Sequence, residues 1–431
     1  MDQLFVLIFS GVRGDTRRYR SFHPYEQLQL AGVPCQLSHI TDPQLPAKIE
    51  QAAIVIVHRT TYDSYVARLF QAIQAHGGLA IQDIDDLIFE PAAFRWIGSP
   101  DFRDPVRAAL YQEDILRNRA TLEQCQAVIA STQYLAEQAQ ALNKPVWIHR
   151  NAFSLKMLAV SEQAFKQKQV LNKKIILGYA SGTPTHDRDF AVAKPAIQQI
   201  LRHHPEVDLW LIGPVNPGKD WGDLNDRIVC HKLVPWRQLP YLQASFDINI
   251  APLVTNNPFA QSKSEIKYVE AGLVRVPTIA SNTDAFEFAV RSGENGFLAA
   301  SEADWIDALE HLIQDASLRR DMGERAYTDV LERYHPRVRG IELIDTLNQI
   351  CNSDVNRPWS YSASIFYNKT ALNRQAEPPE TFEISETMEN SPSLLQMGFY
   401  SLRHRGMLTL LLQIRVLIRR LFAPLFPYKK D

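Results

Sequence analysis

Apolar and polar positions alternate along the first 150 residues in two distinct rhythms. Leu4–Phe9, Ala53–Val57, Leu79–Gln82 and Ala127–Ala130 are short apolar runs bounded by polar or glycine residues, and they predict buried strands. Tyr25–Gly32, Tyr65–His76 and Arg107–Gln124 repeat their apolar positions every three to four residues and predict helices. Gly32 ends the first of these helices, and Gly77-Gly78 follows the second. Strand, helix and strand at this spacing imply right-handed parallel units, hence an open α/β sheet. The apolar opening Met1–Ser10 lacks a basic leading segment and carries Asp2, so it reads as a first strand rather than a secretory signal.

The rhythm lapses over the Lys- and Gln-rich stretch Phe153–Lys174 and then restarts. Lys174–Tyr179, Leu209–Gly213, Arg227–His231, Ile248–Ala251 and Thr278–Ala280 predict strands. Val192–His203, Leu239–Gln243, Ile266–Leu273 and Trp305–Gln314 predict the helices among them. Two doubly wound domains are expected, at residues 1–155 and 172–350, with a ligand cleft between the carboxyl ends of their strands. The 431-residue length agrees, since a single core stops growing well short of it. Residues 351–393 then read as a linker and 394–431 as a basic amphipathic tail. Within the tail, Leu402–Phe422 interleaves Arg403, Arg405, Arg415, Arg419 and Arg420 with leucine and isoleucine and has no acidic residue. Two readings of it stand: a helix lying in a membrane interface, giving peripheral contact through residues 402–422, or a helix packed back on the protein.

Composition narrows the function. Hydrophobic residues make up 45% and charged residues 22%, with a net charge of -2, so no global attraction to nucleic acid exists and none is expected as a partner. No stretch reaches the length of a membrane span. Cys35, Cys125, Cys230 and Cys351 are scattered without metal-ligand spacing, which fits reduced thiols in a cytoplasmic protein, placed at the inner membrane face if the tail binds there.

The chemistry concentrates between Asp247 and Ser281. The strand Ile248–Ala251 runs into the polar loop Thr255–Pro258, and a helix follows near Ser264. A helix start at the carboxyl edge of a sheet presents free N–H groups and a positive dipole end, a ready anion site. Lys263 and Lys267 add two cations where the dipole disfavours them, which makes sense if a phosphate sits between them; solvated surface lysines are the plainer alternative. Glu270 shares the face of Ile266 and Lys267, and can either accept ribose hydroxyls or pair with Lys267.

Three motifs here resemble the group 1 retaining glycosyltransferases. Glu270–Ser281 (EAGLVRVPTIAS) resembles the family's E-A-x-x-x-G-x-P-V-I-A-S signature, Leu239–Ile248 its L-P-x-x-Y-x-x-A-D segment, and Ser292–Leu298 its G-x-N-G-x-L turn. The resemblance implies the GT-B fold and transfer of a sugar from a nucleotide-diphosphate sugar to an acceptor hydroxyl with retention of configuration, with no cofactor and no metal. If the tail lies on a membrane, the acceptor is a saccharide or lipid-linked saccharide and the place is cell-surface polysaccharide or glycolipid synthesis. The resemblance assigns the ribose hydroxyls to Glu270, the diphosphate to the backbone near Glu265 and Ile266, and the base to the loop holding Val234; Lys263, Ser264 and Lys267 at the same helix start are the further candidates for the diphosphate. The family's first glutamate, eight residues before Glu270, is Ser262 here, so the grip on the donor sugar differs.

Other loops expected at the cleft carry further candidates. Gly182 and Thr183 follow the first strand of the second domain, where small residues admit a phosphate or sugar, and His186 can donate to a phosphate. Asp187 or Asp189 is expected to cap the next helix. In the first domain, Arg18 and Arg20 lie in a loop that can neutralise an anion, His58 ends one strand, and Asn151 fits the family's hinge segment. Asp83, Asp85 and Asp86 end another strand; so much negative charge requires a cation, a hydroxyl-rich ligand or a helix start, and Asp85 and Asp86 are candidates for the chemistry, with His186. The alternatives are a GT-B nucleotide-sugar epimerase, a catalytically silent nucleotide-sugar-binding protein, and a dinucleotide oxidoreductase. Gly11-Val12-Arg13-Gly14 does not match the fingerprint of the last.

Overall fold

A computed structural model describes residues 5–168, 174–353, 393–405 and 407–422. Six parallel strands form the first sheet: β1 (Phe5–Ser10), β2 (Cys35–His39), β3 (Ala52–His58), β4 (Leu79–Ile84), β5 (Ala127–Ala130) and β6 (Val146–Ile148), in the order β2-β1-β3-β4-β5-β6. Six more form the second: β7 (Ile175–Ala180), β8 (Val207–Ile212), β9 (Ile228–His231), β10 (Ile248–Ala251), β11 (Thr278–Ser281) and β12 (Gly296–Ala299), ordered β12-β11-β10-β7-β8-β9. Both sheets are doubly wound, as the two-domain reading requires. The order reverses direction between β1 and β3 in one sheet and between β7 and β10 in the other, and such switch points leave crevices at the strand ends where ligands bind.

β2, β6 and β12 are strands that the apolar pattern did not announce. Each lies at the edge of its sheet or is partly exposed, so none carries the uninterrupted apolar run of a central strand such as β3 (AAIVIVH). Helices cover both faces. α1 (His23–Leu30), α2 (Ser64–Ala75) and α3 (Pro105–Gln124) belong to the first domain, and Asp63 and Asp104 cap the last two through backbone N–H groups. The stretch Phe153–Lys174 is not irregular throughout: α4 (Leu155–Lys166) crosses between the domains, capped by Ser154 on Met157 N. In the second domain α5 (Asp187–His203) and α7 (Glu302–Gln314) cover a core that includes Phe190, Ile197, Leu209, Trp305 and Leu309, while α6 (Ile266–Leu273) and α8 (Ala316–Tyr334) meet in another with Tyr268, Val269, Leu273, Ala326 and Val330.

The expected boundary at residue 350 needs correction. α9 (Pro336–Asn352) returns to the first domain, where Leu343, Ile344, Leu347 and Ile350 join Val6, Ile8, Leu28 and Ile54 in one core. Gly340 permits this contact, since a Cβ there would stand 2.6 Å from the Gln27 carbonyl oxygen. The tail also differs from the single helix over Leu402–Phe422. It comprises α10 (Leu394–Arg405) and α11 (Met407–Phe422), and α10 packs against α2. Tyr400 donates to Asp63 at 2.8 Å and His404 stacks on Tyr65, so this helix takes the packed-back alternative. Residues 354–392, most of the expected linker, lie outside the described residues. Among the described residues no helix is long and apolar enough to cross a membrane.

Glu26 joins α1 to the interdomain helix, accepting from Leu155 N at 3.0 Å. Burial pushes its carboxyl up to about 8, outweighing that hydrogen bond. The folded state therefore holds its proton where the unfolded chain has lost it. The stability this contributes is complete below the ordinary glutamate range and is lost as pH rises toward 8. Glu26→Gln should leave the unfolding midpoint nearly unchanged at pH 5 and raise it at pH 9, an effect on the order of a few kcal/mol. Thermal unfolding at the two pH values measures this, and equal shifts at both would refute it.

Candidate active site

The two sheets turn their strand ends toward a shared cleft of about 270 Å³. On the second-domain side, β7 ends at Ala180 and continues into Ser181-Gly182-Thr183. Gly213, at φ 94°, ends β8 beside this loop; a Cβ there would lie 1.9 Å from the Ser181 carbonyl oxygen, so only glycine lets the two loops meet. α6 begins next to this switch point. The Lys267 ammonium donates to the Ala180 carbonyl oxygen and lies 5.0 Å from the Tyr179 ring centre. Burial lowers its pKa below the ordinary lysine value, while Glu270 and Asp189 oppose that shift.

Neither Asp187 nor Asp189 caps α5. Asp187 instead accepts from Asn216 N at 3.0 Å. Asp189 turns inward, accepting from Val254 N at 3.0 Å and holding His186 Nδ1 at 2.8 Å. Burial lowers the His186 pKa and its neighbour Asp189 counters that; Lys267 and Lys263 push it further down. The imidazole is thereby oriented by a carboxylate, with its other nitrogen available as donor or acceptor according to tautomer.

The first domain supplies the carboxylates, and each has its own cationic partner. Asp83 is buried within β4 and receives both Nε and Nη2 of Arg20, each at 2.7 Å. Asp85 receives Arg59 Nε at 2.6 Å and lies 3.6 Å from His58 Nε2. Burial alone would raise Asp85, but Arg59 and His58 outweigh it and hold the carboxyl well below the usual range. Asp86 receives Arg59 Nη2 at 3.2 Å and, from across the cleft, Lys263 Nζ at 2.9 Å on each oxygen. Arg59 adopts φ 40°, a left-handed conformation that costs a non-glycine residue on the order of 1–3 kcal/mol. Gly11 allows the end of β1 to pass it, because a Cβ would meet the Arg59 carbonyl oxygen at 2.7 Å.

Further contacts bridge the domains. The Tyr19 hydroxyl donates to Glu270, and Asn151 Nδ2 donates to Ser264 Oγ at 2.8 Å. The Arg18 guanidinium stacks on Trp236 with 4.7 Å to the ring centre. Ser262 is buried, its hydroxyl 2.7 Å from the Phe259 carbonyl oxygen and 3.1 Å from Asp86 Oδ1. The carboxylate that faces this position thus comes from the opposite domain.

Of the residues singled out in the sequence, Asp85, Asp86, His186, Gly182, Thr183, Val234, Lys263, Ser264, Ile266, Lys267, Glu270, Arg18 and Asn151 line the cleft together. Three do not. Arg20 is fully buried behind the wall, holding Asp83, the His149 carbonyl oxygen and Asn151. His58 is equally buried, its Nδ1 3.1 Å from Ser10 Oγ. The Glu265 side chain lies beneath α6, accepting from Tyr334 at 3.1 Å with Arg150 3.6 Å away, so only its backbone is near the helix start. Tyr19, Trp236 and the pairing role of Arg59 were not foreseen. The stretch with Arg18 and Arg20, expected as a loop, is helical over Asp15–Arg17 and Arg18–Phe22; Tyr19 lies in it, and no local pattern announces its partner 251 positions away.

Two Rossmann-like domains closing strand ends on one cleft, with cations gathered at a helix start, form the GT-B glycosyltransferase architecture. Residues 175–315, within the second domain, match the family of glycosyl transferases group 1. No curated protein matches the chain. Among solved structures, HepE of Anabaena, in complex with UDP and glucose, shows a TM-score of 0.53 at 12% identity, covering 80% of this chain and 99% of its own. Sucrose-phosphate synthase of Thermosynechococcus elongatus gives 0.53 at 13% identity, over 80% of this chain and 99% of its own. A glycosyltransferase of Rickettsia africae gives 0.55 at 11%, over 82% of this chain and 100% of its own. At these identities the likeness is one of fold.

Proposed function

We propose that the chain transfers a sugar from a UDP-sugar to a hydroxyl of a saccharide or lipid-linked acceptor, with retention of configuration, in the synthesis of a cell-surface polymer or glycolipid. The observation that carries this reading is the convergence of Lys263, Lys267 and the start of α6 on the switch point of the second sheet, with Glu270 on the same cleft. Departure of a nucleoside diphosphate builds negative charge, and fixed cations and N–H groups in a dry cleft stabilise that charge more than the bound donor. Ser264, Gly182, Thr183 and the backbone at Glu265 and Ile266 complete the diphosphate cradle, and Val234 borders the base. The uridine choice draws on HepE, a fold neighbour seen in complex with UDP-glucose.

Asp85, Asp86 and His186 face this cradle and are assigned to the acceptor hydroxyl and the sugar. Cross-cleft contacts shut the site before the donor enters: Tyr19 occupies Glu270 and Asp86 occupies Lys263. Ribose and diphosphate must take over these partners, so donor binding and exclusion of water are coupled to rearrangement of the cleft. At the membrane, α11 presents exposed Met407, Leu411, Ile414 and Arg415, which supports interfacial seating of the tail at the inner face.

Thermal shift with UDP, GDP, ADP and their sugars tests the donor site. UDP at about 100 times its Kd should stabilise the protein by about 2.7 kcal/mol. Glu270→Ala should weaken UDP binding about 10- to 100-fold, the worth of hydrogen bonds to a charged group. Absence of a shift with every nucleotide would sink the proposal.

A further inference from the structure

A second cavity, of about 540 Å³, lies between the tail helices and the first domain. Its volume is within the range of small-molecule sites. Ile40, Ile88 and Ile115 form its inner wall, and Met397, Leu410 and Ile414 of α10 and α11 form its outer wall. The outer wall is anchored: Tyr400 binds Asp63, and Arg405 lies 3.4 Å from Asp114. At one end the cavity reaches Gly11 and Arg59, at the carboxyl ends of β1 and β3. Arg59 also lines the donor cleft, where it holds Asp85 and Asp86, so one side chain borders both spaces.

We propose that this chamber binds the apolar chain of an amphiphilic acceptor, whose polar head passes Arg59 to reach the donor cleft. The inference rests on the glycosyltransfer reading above and identifies the acceptor class. The chamber's apolar stretch, Ile40, Ile88, Ile115, Met397, Leu410 and Ile414, suits an alkyl or isoprenoid chain, and the polar lining residues Arg59, Asp114 and Arg405 suit a polar head. Arg59 borders both spaces, so a head group beside it lies next to the donor cleft. The outer wall belongs to the helices on which Met407, Leu411 and Arg415 are exposed, the surface from which a membrane amphiphile would be drawn.

The test uses the full chain and dansyl-undecanoic acid, whose emission rises in an apolar site, with farnesyl phosphate and inorganic phosphate as competitors. Gly398→Phe narrows the chamber from α10 without a backbone clash, since a Cβ there meets nothing closer than Leu410 at 3.6 Å. Leu410→Asp puts a charge into it from α11. Farnesyl phosphate should displace the probe and inorganic phosphate should not. Each variant should weaken probe binding about tenfold or more, the loss of roughly two buried methylenes, with the UDP thermal shift unchanged. Probe binding that is absent, or equal in wild type and both variants, overturns the proposal. Binding that appears only after residues 354–392 are removed also overturns it, since the occupant is then the chain itself. A normal UDP shift with no probe binding removes this inference alone, whereas loss of the UDP shift in the wild type removes the glycosyltransfer reading beneath it.

Discussion

Lys267→Ala should lower kcat/KM for a UDP-sugar by about 10²- to 10³-fold, the scale seen when a preorganised charge-stabilising group is removed from an active site. The effect should fall mainly on kcat. The Lys267 ammonium stands at the β7–β10 switch point within reach of any group lodged between Ala180 and the start of α6. In the resting protein it donates to a backbone carbonyl, a partner weaker than a phosphate oxygen, so a departing diphosphate gains more from it than the folded state loses. Lys267→Arg should recover little, because a planar fork does not fit where a single ammonium points at Ala180. Since burial lowers the Lys267 pKa, the alkaline limb of the rate profile should lie below the ordinary lysine value and should vanish in the alanine variant. Steady-state kinetics across pH measures all three quantities. A variant with unchanged kcat would mean that the cation serves only to tie β7 to α6.

The central strands and the long helices were legible because buried parallel strands are continuous apolar runs and surface helices repeat every three to four residues. What failed was local information about distant partners. α9 has the amphipathic pattern of any helix, and nothing in it tells that Leu343 and Leu347 belong with Val6 rather than with the domain just completed. Likewise, Asp83, Asp85 and Asp86 read as one acidic cluster requiring one answer. The strand ends at Ile84, and the three carboxylates meet different surroundings: Asp83 the buried Arg20, Asp85 and Asp86 the shared Arg59, and Asp86 also Lys263 across the cleft. That Lys263, Ser264, Ile266, Lys267 and Glu270 line one cleft was legible for the opposite reason, since they lie at one helix start and their spacing alone brings them together. Ser262 shows the limit of a motif: the position lacks its glutamate, yet Asp86 from the other domain stands 3.1 Å from its hydroxyl.

Arg20 separates these two kinds of evidence, since the sequence placed it in the cleft and the structure places it behind the wall. Arg20→Met should destabilise the first domain by about 3–5 kcal/mol, the cost of leaving one member of a buried ion pair without the other. The arginine is fully buried, meets both oxygens of Asp83, and ties β4 to the segment after β6 through the His149 carbonyl oxygen and Asn151. Without it, the Asp83 carboxylate stays buried and uncompensated, so the fold must relax or admit water. Asn151, which also reaches Ser264 across the cleft, would lose one of its two anchors. Removing both charges should be far milder than removing one: the double variant Arg20→Met with Asp83→Leu should regain most of the lost stability. Urea unfolding followed by fluorescence reports the midpoints, and UDP titration of the folded proteins reports the site. The expected outcome is a large fall in midpoint for the single variant, substantial recovery in the double variant, and UDP affinity within a few-fold of wild type wherever the protein is folded. An unchanged midpoint with lost UDP affinity would return Arg20 to the cleft and make it a ligand-binding residue after all.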